Sequence, residues 1–236
     1  MNLITLNQDD FIDDRHVRLS DRRLIHITQV LNAQLGDQLM VGRINGHIGQ
    51  GKIVQLSDTA VELEVSLDQS PPSALPLTLI IPMIRPPMFK RLLFHATTLG
   101  IKKIYVINFS RVEKSLWNSS TLRPEEIHAQ LILGLEQAKD TVLPIIEIRE
   151  KFKPFIEDEL TLIAANTIKI VAHPGGQQIN QIPHQSKSVT LVIGPEGGLI
   201  PFEIDQLTQL GFKTADLGAR ILRVDTALPY VIGKLF

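Results

Sequence analysis

Over residues 1–68 the apolar positions come in short alternating runs, at 38–43, 47–56 and 60–66, with Val17 in a further one. Gly42, Gly46, Gly49 and Gly51 punctuate them. Alternation with a period of two is the mark of half-buried strands, so this stretch reads as mostly β. One helix interrupts it. Leu24, Ile27, Val30 and Leu31 fall on one side of a helix over 21–32, and Ser20 or Asp21 suits its N-cap. The expectation is a small β-barrel that carries one amphipathic helix.

The polar, proline-bearing stretch 68–73 ends this pattern. Beyond it, apolar runs at 77–81, 104–108, 145–148, 168–172, 189–193 and 214–217 alternate with helical patterns at 89–99, 124–139, 154–165, 201–210 and 225–235. Gly100 stands where a helix C′ residue is expected. Pro124 suits a first helical position, Glu125 and Glu126 suit the first turn, and Ile127, Leu131, Leu135 and Ala138 make a stripe. Strand–helix alternation implies a mostly parallel sheet covered on both faces. The fold class is therefore α/β behind a small β domain, with domains at 1–70 and 74–236. The longest irregular stretch, 173–188, exceeds the usual loop length, which marks it as functional or mobile.

Composition narrows the classes. The chain has 236 residues, 44% hydrophobic and 21% charged, as in ordinary globular proteins. No apolar run is long enough to span a membrane, and the N-terminal residues lack the form of a signal peptide. The absence of cysteine excludes disulfides, thiolate metal sites and cysteine nucleophiles, and a cytoplasmic location is expected. The seven histidines, His16, His26, His173 and His184 among them, show no metal-ligand spacing, so no metal is expected. The net charge of −1 hides an asymmetry: residues 73–120 hold 7 Lys or Arg against 1 acidic residue. That block is either a phosphate-facing surface or a solvated helix face.

Chemistry concentrates near the C-terminal end. Ile193-Gly194-Pro195-Glu196-Gly197-Gly198 follows a strand pattern and precedes a helix. Adjacent glycines let a ligand approach the backbone closely. The spacing is that of neither a P-loop nor a dinucleotide fingerprint, and a tight strand–helix turn explains it as well. Glu196 there is a ligand contact or a helix cap. Residues 217–227 read Leu-Gly-Ala-Arg-Ile-Leu-Arg-Val-Asp-Thr-Ala. Arg220 and Arg223 share a face if the backbone is helical, and Asp225 suits the N-cap of the last helix. A capped helix with two solvent arginines is the plain alternative.

Taken together, Gly-Pro-Glu-Gly-Gly followed by Leu-Gly-x-Arg-Ile-Leu-Arg-x-Asp-Thr-Ala resembles the SPOUT-class RNA methyltransferases. It is most similar to those that methylate N3 of a uridine in 16S ribosomal RNA, the RsmE-like family. His26-Ile27 with Val30-Leu31 and Gly36-Asp37, Leu99-Gly100-Ile101, Glu136-Gln137 with Pro144, and His173-Pro174 resemble further family segments. The chain departs from the family at Gln29 and Asn32, near which arginine is usual, at Phe94, His95 and Thr98, at Ala138-Lys139-Asp140, and at Asp225, where glutamate is usual.

The resemblance implies a PUA-like barrel followed by an α/β SPOUT domain with a C-terminal trefoil knot. It also implies S-adenosylmethionine as cofactor, 16S ribosomal RNA or the small ribosomal subunit as partner, and a homodimer. Carried over, the cofactor-binding positions are His173, Pro174, Ile193, Gly194, Pro195, Gly197, Gly198, Leu217, Gly218, Ile221 and Leu222. Arg223, then Arg220, are the expected groups for charge developing on the imide or for an adjacent phosphate, and Glu196 is an expected proton acceptor. Arg15, Arg18, Arg22 and Arg23 on the barrel, with Arg85, Lys90 and Arg91, are expected to contact RNA phosphates, and Phe89, Phe109 and Trp117 are candidates for base stacking. The methyl donor is itself cationic, so the chemistry calls for no metal. Two other readings remain open: a catalytically silent or retargeted SPOUT-fold RNA-binding protein that keeps the cofactor pocket, and a nucleotide-binding module without RNA.

Overall fold

The alternation of the N-terminal residues becomes a five-stranded sheet in the computed structural model, which describes residues 2–182 and 188–236. Its strands are β1 (Ile4–Leu6), β2 (His16–Leu19), β3 (Gln38–Arg43), β4 (Ile48–Leu56) and β5 (Val61–Gln69). They lie in the order β1-β3-β4-β5-β2, with β1 parallel to β3 and the other pairs antiparallel. β1 has only three residues, too few to show a period of two. Leu6, Val17, Leu19, Val41, Ile53, Val61 and Leu63 form the core with Ile27. Each such side chain contributes about 1.5–3 kcal/mol when fully buried.

Helix α1 (Arg22–Ile25) follows β2 and runs on into a π-helical turn, His26–Val30. Asp21 is the N-cap, its carboxylate accepting the Arg23 N–H at 2.8 Å. Leu24 and Ile27 are buried, but Val30 is 63% and Leu31 43% exposed. The wider π turn rotates these last two residues off the apolar stripe, and Asn32 leaves the helix at φ 50°.

The second sheet has six parallel strands in the order β11-β9-β10-β6-β7-β8. In chain order its elements are β6 (Leu77–Pro82), α2 (Pro86–Thr98), β7 (Lys103–Ile107), α3 (Pro124–Ala138), β8 (Ile145–Arg149), α4 (Phe152–Pro154), a π turn (Phe155–Leu160), α5 (Thr161–Ile163), β9 (Ile168–Gln178), β10 (Val189–Ile193), α6 (Pro201–Gln209), β11 (Lys213–Asp216) and α7 (Val224–Leu235). β10 is buried at every residue and β6 at all but one, as expected of strands covered on both faces. Gly100 follows α2 at φ +81°, the left-handed C′ position anticipated for it.

The chain forms two compact units, 1–73 with 131–143 and 74–130 with 144–236. The C-terminal half of α3 thus belongs to the barrel unit. Glu136, buried on that half, accepts from Thr5 Oγ1 at 2.9 Å and from Arg22 Nη2 at 2.7 Å. An apolar stripe along α3 carries no sign of this division.

The described part of the stretch 173–188 is less irregular than its composition implies. β9 continues to Gln178, with a bulge: Val171 pairs with Thr214, and the next β11 residue, Ala215, pairs with Gln177. Residues 172–176 are therefore pushed out of the β9–β11 ladder, the usual way a strand re-aims side chains at a site. Residues 183–187, His184 among them, lie outside the described residues. Phe89 and Phe109 are core residues, 0% and 2% exposed, and not free to stack on bases. Trp117 is half-buried and donates from Nε1 to Asn108 Oδ1 at 2.9 Å.

Candidate active site

In a parallel sheet every strand ends on the same edge. The order β11-β9-β10-β6 makes neighbours of the segments that leave β6, β10 and β11 and of the bulge in β9. Chain order reverses between β10 and β6, and ligands in open α/β sheets bind at such points. The glycine and arginine segments singled out in the sequence leave β10 and β11 on this edge.

Each is shaped by its own hydrogen bonds. Residues 195–198 form a tight turn in which the Gly198 N–H donates to the Pro195 carbonyl at 2.7 Å, and Gly198 follows at φ +74°. Arg111 holds the turn from outside, its Nη1 donating to the Gly197 carbonyl at 2.5 Å. A Cβ on Gly194 would lie 2.7 Å from Leu199 Cγ, so only glycine fits there without displacement. Glu203 caps the start of α6: its carboxylate accepts from the N–H groups of Ile200 (3.0 Å) and Ser110 (2.7 Å) and is fully buried. Glu196 is exposed and leaves that capping to Glu203.

Asp216, the last residue of β11, joins two walls. Its carboxylate accepts from the Gly218 N–H at 2.6 Å and from the Gly175 N–H at 2.9 Å. These two bonds, Gly218 first, hold the carboxyl below the usual aspartate value. The bulge and the 217–223 segment are thereby tied to one side chain. Sequence reading passed over Asp216, because an aspartate at a strand end looks like a turn residue.

Between these segments lies a cavity of about 270 Å³. Every position expected to bind the cofactor lines it, from His173 and Pro174 through Ile193, Gly194, Pro195, Gly197 and Gly198 to Leu217, Gly218, Ile221 and Leu222. Glu196, Arg220, Asp216 and Leu199 line it too. Arg223 lines a second cavity with Arg85, Met88 and Glu196, to which Ile221 and Leu222 also contribute. Glu196, Ile221 and Leu222 therefore face both.

The arginine segment is not helical. Residues 219–220 form a bend, and α7 begins at Val224 with Arg223 as N-cap in extended conformation. Arg220 and Arg223 thus serve different cavities instead of sharing a helix face. Asp225 is not the N-cap but lies inside the first turn. Its Oδ2 accepts from Arg91 Nη2 at 3.0 Å, and its Oδ1 stands 3.7 Å from Arg223 Nε.

The expected RNA-contacting residues divide. Arg85 and Arg15 are exposed with no carboxylate partner among the described residues. Lys90 pairs with Glu126 at 2.6 Å at the surface, and the exposed Arg91 pairs with the largely buried Asp225. Arg18 lies 3.6 Å from Glu62, and Arg22 is bound to the buried Glu136. Arg23 is a correction: it is 5% exposed, held by Asp10 at 2.6 Å and Asp21 at 2.8 Å, and donates to the Thr5 carbonyl at 2.7 Å. These partners raise its pKa further and remove it from any RNA-facing surface. Among the described residues no helix is long and apolar enough to cross a membrane.

A family model described as an RNA methyltransferase domain matches residues 71–235, and one described as an RNA methyltransferase PUA domain matches 19–66. Ribosomal RNA small subunit methyltransferase E of Treponema pallidum is 28% identical over 232 residues, covering 96% of this chain and 87% of that protein. Methyltransferase E 1 of Borreliella burgdorferi is 26% identical over 230 residues, covering 96% and 94%. Among solved structures, methyltransferase E of Neisseria gonorrhoeae bound to S-adenosyl methionine matches with a TM-score of 0.76 at 20% identity, covering 98% of this chain and 96% of that one. A Legionella pneumophila methyltransferase in complex with the same cofactor matches with a TM-score of 0.77 at 22% identity, covering 99% and 96%. The fold is the expected one, a PUA-like barrel with a parallel α/β domain of the SPOUT class.

Proposed function

The chain belongs to the RNA methyltransferase family, and from that premise we propose that it transfers a methyl group from S-adenosylmethionine to N3 of a uridine in 16S ribosomal RNA. The observation that carries this reading is the pair of adjoining cavities, one rich in glycine and the other bearing Arg85 and Arg223.

The first cavity suits the cofactor. Gly218, on the cavity wall, stands at φ +110° with open space where a Cβ would be, so bare backbone lines the cavity there. Ile193, Leu199, Leu217 and Leu222 offer an apolar bed for a base, and the glycine turns bring backbone groups close to a polar tail. Bound there, S-adenosylmethionine supplies an electrophilic methyl group.

The second cavity receives the uridine, unstacked so that N3 can line up with that methyl group. N3 carries a proton and becomes nucleophilic once the proton leaves. Glu196, exposed on the rim of both cavities, is the acceptor. Arg223 offsets the negative charge that then spreads over the imide, with Arg220 beside the cofactor and Arg85 on the neighbouring phosphate. The active form is a homodimer acting on 16S RNA or the small subunit in the cytoplasm.

Mapping of modified uridines in 16S RNA by mass spectrometry, in a strain lacking the gene, tests this. The N3-methylated uridine should vanish and return with the parent gene. If it persists with no second enzyme present, the reading is wrong. A retargeted enzyme is the second reading. It is favoured by the exposed Gln29 and Asn32, where the family resemblance would have arginine, and the same map would show the mark lost at another nucleotide.

A further inference from the structure

Three of the four barrel arginines picked out in the sequence are committed to carboxylates, so the barrel must meet RNA with other groups. Arg43, at the end of β3, is exposed and has no carboxylate partner among the described residues. Its guanidinium carbon lies 5.4 Å from the centroid of the Phe11 ring, and Nη2 donates to Gln8 Oε1. Its stem rests on Gly46, where a Cβ would come within 3.3 Å of Arg43 Cβ. The cation is positioned over the Phe11 ring before any ligand arrives.

The turn that carries it is held from both sides. Within the turn, Gly46 N–H donates to the Arg43 carbonyl at 2.8 Å, and Arg43 N–H to the His47 carbonyl at 3.0 Å. From residues 141–143 of the same unit, Asn45 N–H donates to the Thr141 carbonyl at 2.8 Å. Thr141 Oγ1 donates to the Gly46 carbonyl at 2.5 Å, and Leu143 N–H to Asn45 Oδ1 at 2.9 Å. An ordinary hairpin turn needs no such outer clamp. Arg43, Phe11, Asp14 and His47 face a cavity of about 510 Å³.

We propose that this cavity is a subsite for one unpaired nucleotide of single-stranded RNA; the proposal rests on the reading of the chain as an RNA methyltransferase. The base stacks on the guanidinium plane backed by Phe11, as unstacked RNA bases do on arginine and aromatic side chains. Asp14, on the cavity wall, has no partner among the described residues and accepts from an exocyclic amino group. The ligand class is therefore an amino-bearing nucleotide, adenosine or cytidine before uridine. Arg15, next to Asp14, adds a cation at the rim; its carbonyl accepts the N–H of Val65, itself a lining residue, at 2.7 Å.

Fluorescence anisotropy of the full-length protein with labelled hexamers of adenosine, cytidine or uridine tests it. Adenosine and cytidine hexamers should bind tighter than uridine hexamers, and Asp14→Asn should narrow the difference. Arg43→Ala should weaken binding about tenfold, the lower range for one stacked base, with little change in the log–log salt slope because the cation faces a base and neutralises no phosphate. Phe11→Leu, which keeps an apolar side chain against the core, should weaken binding less and leave the slope unchanged. Lys52→Ala removes an exposed cation of β4 outside the cavity and serves as the control. Binding by Arg43→Ala within twofold of the parent, or an equal loss in Lys52→Ala, overturns the subsite. Calorimetry with S-adenosylmethionine and the 16S map separate this from the function itself. Cofactor binding and methylation in the parent, with Arg43→Ala binding normally, remove the subsite and leave the methyltransferase. Absence of both in the parent removes the methyltransferase reading whatever Arg43 does.

Discussion

Arg23 and Arg223 are the same residue in opposite settings. The Arg23 side chain is 6% exposed, locked between two aspartates, and its charge is spent on the barrel. The Arg223 side chain is 59% exposed at the mouth of a cavity, with one carboxylate 3.7 Å away. Both precede or follow an aspartate by two residues at a helix start, so local sequence does not separate them. The chain between the glycines does. Arg223 sits on an irregular segment tied down by Asp216, whereas Arg23 sits inside a capped helix whose own cap takes its guanidinium. An arginine is free to act when backbone, not its side chain, does the holding.

The comparison would break most sharply at Arg223. Replacing it with alanine should lower kcat by about 10²–10³, as loss of a group aimed at developing charge does. The unfolding midpoint should not move, because the side chain stands in solvent. Single-turnover methylation of 16S RNA at saturating cofactor measures this, and a parental rate would remove Arg223 from the chemistry.

Arg23→Ala should do the reverse. Two aspartates would lose their cation, and the expected cost is about 2–3 kcal/mol, less than for a wholly buried pair because Asp21 is half exposed. Arg18→Ala, which breaks only a surface contact to Glu62, should cost less than about 0.5 kcal/mol. Urea melts of both variants place them on one scale. Equal losses would mean that the Arg23 cluster is no more than surface charge.

Asp225 links the two behaviours. It receives Arg91 at 3.0 Å and stops short of Arg223. Asp225→Asn should lower kcat about tenfold, the worth of one charge-assisted hydrogen bond, with little change in KM. Asp225→Glu adds a methylene, closes the gap to Arg223 and should restore or exceed the parental rate. A glutamate variant as slow as the asparagine one would show that closing the gap to Arg223 does not help the reaction.

The same contrast explains what the sequence could and could not disclose. The α/β alternation and the strand 189–193 were legible because fully buried strands and striped helices obey one-dimensional patterns. The edge that bears the first cavity was legible because glycines and arginines in a fixed order are rare. What escaped depends on partners far along the chain. The fate of Arg22 rests on Glu136, over a hundred residues away. The bulge at 172–176 shows only when β9 is laid beside β11. Val30 and Leu31 keep helical spacing in sequence, yet a π turn swings them outward. Asp216 and Glu203 act through backbone N–H groups that no side-chain pattern records.

Asp216 should give the smallest effect and the clearest sign. Its carboxyl is depressed below the ordinary value of 3.8 by the N–H groups of Gly218 and Gly175. A depressed acid contributes its stabilisation above the unfolded value and loses it as pH falls through the folded value. Cofactor affinity should therefore be level from neutral pH down to about 4 and weaken only below that, as the ordinary aspartate range is passed. Asp216→Asn keeps one acceptor oxygen, so one of the two N–H groups loses its partner. That variant should bind the cofactor a few-fold more weakly at every pH and show no acid inflection. Calorimetric titration across the range, with circular dichroism to confirm that the chain stays folded, distinguishes the cases. If parent and variant share the same acid inflection, the loops are not held through this carboxylate, and the freedom of Arg223 must come from elsewhere in the segment.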